Sequence, residues 1–131
     1  MKLTSFRLVL LFSLFVISCG SNDAEKFVGT WSGNLNCGGD SESLVMTVML
    51  GASDDQVLLE FEDTPMIKAT VDGDDITLET TSIPDGGDFS SELAGSGSIN
   101  GEGNLVMNFV VEIFQNGILL ETQTCTVVLT M

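Results

Sequence analysis

Imidazole and phenol side chains are missing from this chain, and their lack bounds its chemistry. There is no His and no Tyr among the 131 residues. The serines lack the imidazole that usually activates them, and a transition metal lacks its commonest ligand. What remains is Cys19, Cys37 and Cys125, with nineteen carboxylates against four basic side chains. Catalysis would have to rest on paired carboxylates. Glu60, Glu62, Glu79 and Glu112 fall on outward positions of separate strands or along one strand, so no facing pair for glycoside hydrolysis is evident. The acidic turns Asp54-Asp55 and Asp72-Gly73-Asp74-Asp75 invite a calcium reading. Counted from Asp72, however, the turn-glycine and bidentate-glutamate positions of an EF-hand loop are Thr77 and Ile83. The expectation is no enzyme: no catalytic residue, no metal site and no cofactor.

Cys19 has a distinct setting. Lys2 and Arg7 precede an apolar stretch, Leu8 through Ile17, that is too short to span a bilayer as a helix, which needs about 20 residues. It ends in Val16-Ile17-Ser18-Cys19, which resembles the lipobox of bacterial lipoproteins. That resemblance implies cleavage after Ser18 and a diacylated Cys19, with chains such as palmitate, at the mature N-terminus. Gly20 follows the acylated position with no Asp beside it, which by the same resemblance implies the outer membrane of a Gram-negative bacterium, on its periplasmic face or at the cell surface. With a lipidated Cys19 outside the cytoplasm, Cys37 and Cys125 remain as a pair where disulfides form and persist, so a bridge is expected.

All the acidic residues lie beyond the signal segment, where only Lys26 and Lys68 are basic. Nucleic acid would be repelled, and so would anionic headgroups. Membrane attachment therefore has to come through the acyl chains, and the acidity serves to keep a tethered domain soluble. The organisation reads as a lipoprotein signal peptide over 1–18, a flexible tether over 19–26, and one domain over 27–131.

That domain repeats one theme. Runs rich in Val, Ile, Leu, Thr and Phe alternate with turn clusters of Gly, Asp, Asn and Ser, the pattern of an all-β meander. Eight strands are expected near 30–37, 43–50, 56–62, 65–71, 75–81, 89–99, 104–114 and 118–130. Asp72-Gly73, Asn100-Gly101 and Asn116-Gly117 are dipeptides suited to type I′ hairpins. Eight hairpin-linked antiparallel strands make either an up-and-down barrel or a β-sandwich, and closure is favoured because it removes sheet edges. The cysteines fit closure as well. Placing Cys37 opposite Cys125 on antiparallel first and last strands brings Trp31 opposite Met131, so the strands overlap along their length and the disulfide clasps the seam.

The first strand opens on Phe27-Val28-Gly29-Thr30-Trp31, and Gly29-x-Trp31 resembles the first-strand signature of lipocalins and related calycin-type barrels. The resemblance implies that Trp31 plugs a closed end and that the barrel binds a small apolar ligand. The chain departs from full-length lipocalins: nothing after Lys68 is basic, and the C-terminal helix is missing. It looks like a small lipocalin-like bacterial lipoprotein. A similar opening occurs in avidin-like barrels, but without Tyr some biotin contacts have no counterpart.

In a barrel starting at its closed end, the loops 38–42, 63–64, 82–88 and 115–117 gather at the open end. Ser82 to Asp88 is the expected lid. Leu59, Phe61, Ile76, Leu78, Met107 and Phe109 are placed toward the lumen, lining a ligand cavity or filling it; strands of about eight residues favour filling. Glu121 and Gln123 share the Cys125 face and are candidate polar ligand contacts, unless a bulge between Leu120 and Cys125 turns Ile118 and Leu120 inward. Outside, Val106, Val110, Phe114 and Val128, with Val45 or Met49, form an apolar stripe fit for a homodimer or an envelope protein partner. A structural subunit with a filled core is thus the alternative to a ligand binder. The anchor is directly testable: Cys19→Ser should move the protein from the detergent-extracted membrane fraction to the soluble fraction, and retention in the membrane would overturn the lipobox reading.

Overall fold

The computed structural model describes residues 23–131 except Asp63, so the expected signal segment and the first part of the tether expected over 19–26, Cys19 included, lie outside the described residues. Residues 23–26 are not a free tether, because they form a 3₁₀ turn that buries Ala24 and bonds Lys26 to Asp74. A 3₁₀ turn, Asp23–Phe27, leads into β1 (Gly29–Cys37), β2 (Asp40–Leu50), β3 (Gln56–Phe61), β4 (Ile67–Asp72), β5 (Asp75–Gly86), β6 (Phe89–Ile99), β7 (Leu105–Gln115) and β8 (Ile118–Thr130). Each strand pairs antiparallel with the next, and β1 also pairs with β8, giving a closed up-and-down barrel. The sandwich alternative is thereby set aside. Cys37 and Cys125 are register partners and are disulfide-bonded, as the seam argument requires.

The hairpins show where turn chemistry acts. Asn116 and Gly117 both adopt positive φ, 52° and 79°, the combination a type I′ turn demands. The Asp72-Gly73 expectation shifts by one residue, because Asp72 pairs with Asp75 and only Gly73 has positive φ. Asn100 works differently again. Its Oδ1 accepts the backbone N–H groups of Glu102 and Asn104, both at 3.0 Å, so the side chain organises a longer loop. β5 runs well past Thr81: Ser82, Ile83 and Pro84 pair with Glu92, Ser91 and Ser90. Register shifts after Leu78 and at Asp85 absorb Pro84, which cannot donate to a ladder.

Alternation decides the core. Trp31, Met46 and Val48, then Val57, Leu59 and Phe61, Ile67, Ala69 and Val71, Ile76 and Leu78, Leu105, Met107 and Phe109, and finally Val127 and Leu129 are all buried. β2, apolar on both faces in sequence, takes its parity from Trp31 opposite Met46, which turns Val45 outward. Opposite Phe109 stands Gly95. A Cβ there would lie 2.7 Å from the Asn108 carbonyl oxygen and 2.9 Å from Cδ1 of Phe109. Glycine lets the ring lie across β6 where the barrel wall curves.

The closed end is built from the start of the chain. Ala24 and Phe27 of the 3₁₀ turn are fully buried, and Trp31 Nε1 donates to the Phe27 carbonyl at 2.8 Å, satisfying the indole N–H inside the core. Gly29, at φ +142°, turns the chain between them, and a Cβ on it would meet Met131 Sδ at 2.9 Å. Lys26 Nζ donates to Asp74 at 2.9 Å, fastening the turn to the β4–β5 hairpin; that hydrogen bond holds the ammonium above the ordinary lysine range.

The disulfide joins residues 88 apart, for which chain entropy assigns about 4 to 5 kcal/mol before strain. Urea denaturation of Cys37→Ser/Cys125→Ser should therefore show about 2 to 5 kcal/mol lost; an unchanged midpoint would show that the hydrogen-bonded seam suffices alone. Gly95→Val should cost about 1 to 3 kcal/mol through overpacking against Phe109 and Asn108, read in the same titration.

Candidate functional site

Unequal strands shape the interior. β5, β6, β7 and β8 have 12, 11, 11 and 13 residues, whereas β3 and β4 have 6 each. The hairpins at the closed end keep all of them nearly level there. The extra length projects at the open end, as a tall wall facing a low rim.

Between wall and rim lies a cavity of about 550 Å³. Phe61 and Phe109 form its floor, in edge-to-face contact with ring centroids 6.1 Å apart. Leu35, Leu44, Leu93 and Val111 line its sides together with Cys125, and Glu42, Ser43, Glu62 and Thr64 border it. Val45 also contributes, although it stands on the outer face of β2 with 55% of its surface exposed. The cavity therefore spills over the low rim between β2 and the β3–β4 turn. Its volume falls within the range of small-molecule sites, about 300 to 1,000 Å³, and its lining has their character of mostly apolar walls with few polar groups.

The interior is thus divided: packed below and open above. Leu59, Leu78 and Met107, expected as lumen residues, are buried in the packed lower layer and do not line the cavity. Phe61 and Phe109 are where the two layers meet. The expectation of a filled barrel assumed strands of about eight residues, which β5 to β8 exceed.

Glu121 and Gln123 stand on β8 above Cys125. The register runs unbroken from Leu105–Leu129 to Ile113–Glu121 and slips only before Phe114–Leu119, so Leu120 is the bulged residue. The bulge expected between Leu120 and Cys125 lies instead just upstream of Glu121, which keeps the Cys125 face. Glu121 is exposed at that height, so its carboxylate escapes the desolvation cost that argued against an inward position. Ile118, Leu119 and Leu120 are exposed rather than turned into the core.

Among the described residues, no separate lid covers the mouth. Residues 82–86 belong to β5, and the β5–β6 tip is fastened to the β7–β8 turn by the Asn116 N–H, which donates to the Asp88 carbonyl at 2.9 Å. Ser91, 8% exposed, donates its hydroxyl to the Asp85 carboxylate. Tall wall and tip form one continuous unit.

Sequence reasoning missed Glu42 because it started β2 at Ser43, missed Leu44 because β2 is apolar on both faces and its parity was undecidable, and gave Leu35 the parity of Trp31 without placing it at a cavity. The signal was present: a two-residue Gly38-Gly39 loop makes Cys37 partner Asp40 and hence Leu35 partner Glu42. Glu62, expected outward, borders the cavity, because β3 ends at Phe61 and strand alternation no longer applies beyond it. The outer stripe is broken up. Val106 and Val128 are register partners, but Asn108, Thr126, Thr124 and Glu112 separate them from Val110 and Phe114 along β7 and β8. Val45 sits apart across Ser32 and Thr130. Among the described residues, no group of three or more Cys, Asp or Glu side chains is placed to hold a metal ion.

The arrangement offers contact area, shape and carboxylates at an open mouth. The chain matches no protein-family model, no curated protein and no solved structure, so the barrel and its cup stand on their own geometry.

Proposed function

We propose that this protein is a non-enzymatic, lipid-anchored, lipocalin-like binding protein of the bacterial cell envelope, which holds a small apolar molecule in the cup. The observation that carries this reading is the cavity of about 550 Å³ floored by Phe61 and Phe109 above a layer of fully buried side chains. A purely structural barrel gains nothing from leaving apolar side chains unpacked, since empty space forfeits dispersion contacts. The lipocalin resemblance is supported by Trp31, which plugs the closed end against Phe27, and by Gly29, whose backbone turn allows it. Anchorage through Cys19 fits the topology, because the chain enters at the closed end and the mouth then opens away from the membrane that holds it.

Filling the cup tests the reading without disturbing the packed layer. Leu93 lies on the cavity wall and is only partly buried, so Leu93→Trp should project into free space. Binding of the neutral dye Nile red, followed by its fluorescence, should fall at least tenfold in this variant while the urea midpoint stays within experimental error of wild type. Equal dye binding by both proteins would overturn the cup as the site.

A further inference from the structure

We infer that the cup selects cationic amphiphiles, molecules that join an apolar body to an amine or quaternary ammonium head. The inference rests on the binding-cup reading and names its ligand class. Acidic residues are abundant everywhere on this domain, and most need no explanation beyond solubility. What sets the mouth apart is strand parity. On the interior faces the charged residues are Asp40, opposite Cys37; Glu42, opposite Leu35; Glu121, opposite Ile113; and Asp85, bonded to the inward-facing Ser91; all stand at the open end, and of these Glu42 lines the cavity. Glu62 joins Glu42 on the cavity border from the β3–β4 turn.

No cation answers them. The described residues contain two basic side chains: Lys26 is bonded to Asp74 at the closed end, and Lys68 stands exposed on the outer face of β4. A fatty acid or other anion would carry its charge into a like-charged rim without a partner. A neutral molecule would gain from the walls alone. A cationic head would meet the solvent-exposed carboxylates of Glu42 and Glu62 at the rim, a salt-screened attraction of about 1 kcal/mol per close pair, while the apolar body rests on Leu35, Leu93 and Phe109.

The test compares ligands of one chain length and three charges. Decyltrimethylammonium, decanol and decanoate are titrated calorimetrically at low salt into the full chain carrying Cys19→Ser, which keeps acyl chains out of the assay. Decyltrimethylammonium should bind on the order of tenfold more tightly than decanol and more tightly still than decanoate, and added salt should erode its advantage. Glu42→Gln/Glu62→Gln should remove most of that preference and leave decanol binding unchanged; the decanol titration also shows that the variant is folded. Decanol or decanoate binding as tightly as the cation, or a preference that survives the double variant, would overturn charge selection and leave the cup intact. Failure of all three ligands together with Nile red would overturn both readings.

Discussion

Closure of β1 against β8 is the constraint on which the rest of this barrel depends. An open eight-stranded meander would expose two rows of unpaired backbone groups, and every β-strand edge invites pairing with another chain. Here the two ends of the sheet satisfy each other, with Cys37 and Cys125 locking their register. The lock reaches beyond the seam. Because side chains alternate with a period of two, fixing Cys37 opposite Cys125 places Trp31, Leu35, Val127 and Leu129 on the interior, and each hairpin passes that parity on to the next strand. A slip of one residue at the seam would move the core outside.

Much of this was legible from residue pattern alone. Val57, Leu59 and Phe61, or Ile67, Ala69 and Val71, alternate so cleanly with polar neighbours that face and strand are read together. The cysteine pairing was expected once Cys19 was set aside as the lipidated residue, and the overlap of first and last strands agreed with it. Less legible were the features set by backbone detail. Pro84 looked like the centre of a loop, yet two bulges let β5 pass it; Asn100-Gly101 looked like a tight hairpin, yet the Asn100 side chain closes a wider turn. The site suffered most. Its floor, Phe61 and Phe109, was foreseen because it belongs to the alternating core, whereas Glu42 falls in the first residues of β2, which read as loop, and Glu62 lies just past the end of β3, where alternation no longer applies.

Glycine and aromatic residues divide the interior. Gly95 faces Phe109 and Gly97 faces Met107 on neighbouring strands, so the large side chains lie across the space their partners leave empty. Below Phe109 the inward side chains of every strand are buried against one another. Above it the walls continue but the cross-barrel partners stop, because β3 and β4 have already turned. The cup is thus a product of unequal strand length rather than of missing side-chain bulk.

That inequality also sets how a guest would lie. With the wall of β5 to β8 standing over a β3–β4 rim barely half as long, and with Val45 of the outer face bordering the cavity, the entrance faces sideways instead of along the barrel axis. A long molecule need not fit inside to be held. One end can rest on the aromatic floor while the remainder drapes across the rim into solvent, so the enclosed volume limits the part that is gripped and not the length of what is carried.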